Sequence, residues 1–191
     1  MQFIQSEFES TLEVKKSKFI THITSYEKFD ELMDSLKKEH PKARHFVYAY
    51  RYLNEFDQIV ENSSDDGEPK GTSGKPTLSV LSGADLINTA VIVVRYFGGT
   101  RLGTGGLVKA YSDAVNLVLK SSTIQQYVKL KRKKLYLDYP QLSQIEYLIT
   151  KFDIKIIEKQ FLEKICLILE ASSEEYVKLS KELFRDNSLE D

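Results

Sequence analysis

The chain has 191 residues, 41% of them hydrophobic, and a net charge of −1 from 27 basic and 28 acidic side chains. That length holds one large domain or two small ones with real cores. Charge is balanced on both sides of residue 130, which excludes tight nucleic-acid binding by bulk charge and leaves room only for a local basic patch. One cysteine, Cys166, lies in the apolar run Ile165–Leu169. An intramolecular disulfide and a cysteine zinc site are therefore excluded, and a buried thiol is expected. Met1 to Glu7 has neither a basic start nor an apolar stretch. No apolar run approaches the roughly 20 residues of a membrane helix. The cytoplasm is the expected location.

Residues 8–14 and 17–24 alternate as strands. Thr24 and Glu27 have capping-box spacing before a helix whose apolar face is Phe29, Leu32, Met33 and Leu36, stopped by Pro41. His40 falls at the end of that helix, where a cation is favourable. His45–Leu53 alternates with Tyr48, Tyr50 and Tyr52 on one side and reads as a strand turning through 54–56 into a partner, 57–62. The tyrosine stripe fits either a core beneath a helix or a platform for unpaired bases. Pro76 suits the first position of a short helix ending near Gly83. Ala90–Val94 is a continuous apolar run, the mark of a central strand covered on both faces. Leu107, Val108, Tyr111, Ala114, Val115 and Val118 then recur at helical spacing.

Beyond the charge run 129–134 the pattern restarts, and a domain boundary is expected near 128, giving domains 1–128 and 129–191. A strand at 132–139 leads to a helix begun by Pro140 and lined by Leu142, Ile145, Leu148, Ile149 and Phe152. Strands at 154–161 and 164–171 follow. Ser172 and Glu175 form a capping box before a last helix with Tyr176, Leu179, Leu183 and Phe184. The order βαββα predicts a ferredoxin-like unit whose closing strand is short or missing. The fold class is α+β in two domains.

All nine glycines fall between Gly67 and Gly106, and all but Gly83 lie in two loops, 64–76 and 98–106. Glycine permits positive φ and close approach to the main chain, so these loops are the expected functional surface. Gly98, Gly99, Gly103, Gly105 and Gly106 precede or open a helix, whose unpaired N–H groups suit an anion, with Arg95, Arg101 and Lys109 adding charge and Lys70 and Lys75 assisting from the first loop. A tight strand-to-helix corner is the plain alternative. Asp65, Asp66 and Glu68 could bind a divalent cation, or simply hold their own loop by Asx turns. Otherwise no cofactor is indicated. The P-loop pattern fails because Thr104 stands where lysine is needed. The dinucleotide fingerprint fails at Val108. There is no G-x-S-x-G elbow and no paired metal-binding histidine. The residues make a better binding surface than a reaction centre.

Three stretches, 43–50, 64–76 and 93–111, together resemble the IMPACT family and, within it, the bacterial YigZ branch. The carrying segments are Asp65-Asp66-Gly67-Glu68-Pro69 and Arg95-Tyr96-Phe97-Gly98-Gly99 with Leu102-Gly103-Thr104-Gly105-Gly106-Leu107-Val108-Lys109-Ala110-Tyr111. The resemblance implies an N-terminal domain like the β/α domain shared by ribosomal small-subunit protein five and the fourth domain of elongation factor G. It implies a C-terminal domain like the ferredoxin-like fifth domain of that factor. Eukaryotic relatives act in translational control, and fold analogy points to RNA or ribosome binding; the expected function is a non-enzymatic RNA- or ribosome-binding factor in translation regulation. An enzyme acting on a small anionic or phosphorylated substrate, and a protein-interaction module, are the alternatives.

Overall fold

The computed structural model describes residues 1–183, 187, 189 and 190. The chain is mixed α+β and divides into two compact units, 1–127 and 128–191, each with its own sheet. Phe184 lies outside the described residues.

In the first unit, β1 (Gln2–Phe3), β2 (Phe8–Val14) and β3 (Ser17–Ser25) precede α1 (Phe29–Glu39). Then come β4 (His45–Leu53), β5 (Ile59–Ser64), α2 (Gly74–Gly83), β6 (Thr89–Tyr96), α3 (Gly103–Ser121) and β7 (Gln125–Gln126). Five strands form an antiparallel sheet in the order β2-β3-β6-β4-β5. β6 is central, as its unbroken apolar run requires: Ala90 to Val94 are all fully buried. Period-two alternation sends Val91 and Val93 to one face, with Phe19, Ile23, Val47 and Ala49, against α2 and α3. Ile92 and Val94 go to the other face, with Ile20, against Leu32, Met33 and Leu36 of α1. Burying each such side chain contributes about 1.5–3 kcal/mol.

The capping box at Thr24 does not form. Thr24 belongs to β3, its Oγ1 is buried without a partner, and a single 3₁₀ turn, Tyr26–Lys28, intervenes before α1. Strand pairing of Thr24 with Ala90 overrides the local signal. His40 does sit at the C-terminus of α1, 3.0 Å from the Tyr96 hydroxyl through Nδ1. The tyrosine stripe is half-buried. Tyr26 stacks on Tyr52 at 4.1 Å, and Phe29 packs against Tyr48 and Tyr50. The hairpin between β4 and β5 is held by Asn54, whose Oδ1 accepts from the N–H groups of Phe56 and Gln58 at 2.9 Å each.

In the second unit, β8 (Leu130–Leu137), α4 (Leu142–Lys151), β9 (Lys155–Phe161), β10 (Ile165–Ser172), α5 (Ser173–Glu182) and β11 (Leu189–Glu190) form a four-stranded antiparallel sheet ordered β11-β8-β10-β9. This is the strand order of a ferredoxin-like unit, and the closing strand is present but only two residues long, pairing Leu189 with Leu135. β8 begins two residues earlier than the alternation indicates. Ser172 pairs with Leu130, so β10 draws most of the charge run into the sheet. Leu135, Leu137, Leu167 and Leu169 meet Ile145, Leu148 and Ile149 of α4 and Tyr176 and Leu179 of α5. The capping box of α5 forms: Ser172 Oγ accepts from Glu175 N at 3.2 Å and Ser172 N donates to Glu175 Oε2 at 2.7 Å. Cys166 is a buried free thiol.

Candidate functional site

One buried carboxylate ties the first glycine loop to β6 and α3, the two elements that flank the second. β6 delivers Arg95 at its C-terminal end, where the side chain is 6% exposed. Its guanidinium lies over the Phe19 ring, 5.4 Å from the centroid. Glu68, from the first loop, has a side chain only 4% exposed. Its Oε1 accepts from Arg95 Nη1 and, at 2.8 Å, from the Tyr111 hydroxyl of α3. Burial and the neighbouring Glu68 charge push the Tyr111 phenol far above its ordinary range, so it stays protonated as a donor. Three elements are thus joined by one carboxylate. Removing one partner of such a pair strands a buried charge.

The first loop closes on itself. Asp65 Oδ2 accepts from Gly71 N at 2.7 Å. Its Oδ1 accepts from Ser73 N at 3.0 Å, Ser73 Oγ at 2.7 Å and Gly74 N at 2.9 Å. The start of α2 is therefore capped by a carboxylate eight residues upstream of its N-cap residue, Ser73. That cap explains why α2 begins at Gly74, ahead of Pro76. Burial pushes the Asp65 carboxyl up, but the bonds from Gly71, Ser73 and Gly74 outweigh it and leave it below its ordinary value. Asp66 Oδ2 accepts from Phe46 N, and its carbonyl accepts from His45 Nδ1 at 2.8 Å. Gly74 packs on the Ser64 main chain, 2.7 Å from where a Cβ would lie, so a larger residue does not fit.

Asp65, Asp66 and Glu68 thus serve three different sets of protein donors. Among the described residues no cluster of three His, Cys, Asp or Glu side chains is gathered for a metal. The amides of Gly71, Ser73 and Gly74 are taken by Asp65. Lys70 and Lys75 are exposed beside this closed loop.

The second loop is divided. Gly98 is a packing glycine: a Cβ there would lie 2.0 Å from the Lys16 carbonyl carbon, and its N–H donates to Ser17 Oγ at 3.1 Å. It is not part of an open cradle, and Gly99 is an exposed turn residue at φ +86°. The start of α3 is different. No side chain caps it, and Gly103, Thr104 and Gly105 are exposed. Their N–H groups are the first-turn donors that have no carbonyl one turn back. Gly106, fourth in the helix, is the first residue with such a carbonyl. Lys109 points elsewhere and pairs with Asp113 at 2.8 Å on the exposed face of α3.

A cavity of about 290 Å³ opens at this helix start. Glu68, Arg95, Arg101, Gly103 and Thr104 supply its polar lining, and Pro69, Phe97, Leu102 and Leu107 its apolar walls. Arg95 Nε is buried here without a hydrogen-bond partner. Glu68 balances one of the two arginines, so Arg101 and the positive helix end leave the cavity cationic. Of the residues singled out in the sequence, Glu68, Arg95, Arg101 and Gly103 line this cavity, and Gly98, Gly99, Gly105, Gly106, Lys109, Lys70 and Lys75 are not in its lining. Phe97 and Tyr111 stand in the segments that carry the family resemblance, but nothing in their spacing marks them as cavity wall and buried donor.

Comparison with known proteins gives these features a lineage. Residues 15–119, which include both loops and most of α3, match the Impact N-terminal domain model. A Haemophilus influenzae IMPACT family member is 40% identical over 181 residues, covering 92% of this chain and 87% of its own. The Escherichia coli IMPACT family member YigZ is 43% identical over 152 residues, covering 78% and 74%. A crystal structure described as that of a hypothetical protein superposes with a TM-score of 0.68 at 35% identity, covering 99% of this chain and 95% of that one. The buried Glu68–Arg95–Tyr111 knot, the self-capped first loop and the open start of α3 are therefore features of a chain that belongs to the IMPACT family.

Proposed function

We propose that this protein is a non-enzymatic, cytoplasmic RNA- or ribosome-binding factor in the regulation of translation, and that the start of α3 is where it holds a phosphate. One observation carries the reading. Two uncapped first-turn residues, Gly103 and Thr104, share one cavity with the exposed Arg101. A helix N-terminus with adjacent arginine is a natural phosphate site. The translational setting comes from what family membership implies. No helix of the described residues is long and apolar enough to cross a membrane.

The test is RNA binding across a salt series with the wild type, Arg101→Ala and Arg101→Lys. Arg101→Ala should weaken binding and reduce the slope of log affinity against log salt by about 0.7–0.9, one phosphate contact. Arg101→Lys should keep most of the slope. Unchanged affinity and slope in Arg101→Ala would remove the reading. Co-sedimentation with ribosomes at low and high salt, with and without nuclease, separates ribosome from free RNA as the partner.

A further inference from the structure

The cavity at the start of α3 joins phosphate donors to apolar walls, and that combination narrows the ligand beyond an anion. Phe97 is 55% exposed and lines the cavity together with Leu102 and Leu107. The Arg95 guanidinium lies 5.9 Å from the Phe97 ring centroid. A bare phosphate would use none of these walls. The volume of about 290 Å³ falls at the small end of the roughly 300–1,000 Å³ typical of ligand sites. That is room for one small phosphorylated unit and not for a base-paired duplex.

We propose that the cavity takes a single unpaired nucleotide. Its base lies against Phe97, and its phosphate sits on Arg101 and the amides of Gly103 and Thr104. The proposal rests on the phosphate reading above and adds the base to it. The same chemistry is offered by a free nucleoside monophosphate and by an unpaired residue of RNA.

Calorimetric titration of the full chain decides the matter. The probes are a single-stranded RNA, the same RNA as a blunt duplex, adenosine and uridine monophosphates, and ribose 5-phosphate. Phe97 is exposed, so Phe97→Ala should fold normally, which an unchanged melting midpoint checks. Phe97→Ala should lose about tenfold in affinity for single-stranded RNA or for the monophosphates, in the range of one base–aromatic stack. Phe97→Tyr should retain it, and ribose 5-phosphate should not distinguish Phe97→Ala from wild type. Monophosphates binding as tightly as the RNA would identify the free nucleotide as ligand; binding only to the strand would identify RNA. Equal affinity for duplex and single strand, with Phe97→Ala silent, overturns the proposal. The phosphate reading survives that result if Arg101→Ala still weakens binding, and falls with it if Arg101→Ala is silent too. No binding to any probe overturns both.

Discussion

The two glycine loops share glycines and basic residues, but only the first carries acids, and they end in opposite states. Each leads into a helix and each carries basic side chains nearby. In the first, Asp65 occupies the place of an anion: its carboxylate takes the amides of Gly71, Ser73 and Gly74, and α2 begins already capped. In the second, no side chain caps the first turn of α3, and Gly103 and Thr104 line a cavity. A glycine-rich helix start is closed or left open according to whether the chain supplies its own negative charge. Glycine count alone does not distinguish them, because glycine is needed in both for close approach and unusual φ.

The sharpest way to break this comparison is at the ion pair that ties the first loop to β6. Glu68→Ala should cost about 3–5 kcal/mol, because Arg95 and Tyr111 lose their common acceptor in a buried setting. Urea denaturation measures it, and Glu68→Gln, which keeps an acceptor, should lose less. A Glu68→Ala protein as stable as wild type would mean that the first loop is held by something else.

A smaller effect is expected from removing the internal anion of the first loop. Asp65→Asn should destabilise by about 1–2 kcal/mol, the scale of a lost helix cap. Its pH dependence is the sharper signature. The Asp65 carboxyl titrates below its ordinary 3.8 when folded. Its stabilisation is therefore complete above that ordinary value and is lost as pH falls through the lower folded-state value. The stability gap between wild type and Asp65→Asn should be flat above ~pH 5 and should close on further acidification. A gap that widens in acid would reverse the assigned role.

The smallest effect separates Lys109 from the site. Its pair with Asp113 is an exposed contact one turn apart, so Lys109→Ala should change stability by less than about 0.5 kcal/mol. RNA affinity should also stay within twofold or so of wild type, the usual scale for a charge outside the contact. A loss matching that of Arg101→Ala would extend the phosphate track along α3 and redraw the open loop's boundary.

Much of the fold was legible because periodicity is set locally. Ala90–Val94 reads as a doubly covered strand and lies at the sheet centre, and Ser172–Glu175 reads as a capping box and forms both of its bonds. The misread elements are those where partners distant in sequence prevail. Thr24 has capping-box spacing, yet pairing with Ala90 keeps it in a strand. The alternation starts a strand at 132, yet Ser172 pairs with Leu130 and draws the start of β8 back into the charge run. The site was legible as a pair of loops and not as an arrangement.

By itself, the sequence determined the order of elements, the two glycine loops and the residue types available for an anion, since these follow from local pattern and composition. Only the tertiary structure decided which amides are already occupied. Asp65 lies eight residues from Ser73, Glu68 lies 27 from Arg95 and 43 from Tyr111, and Gly98 is locked against a turn 81 residues earlier. A hydrogen-bond donor is free or satisfied according to what folds against it, and no spacing rule along the chain encodes that.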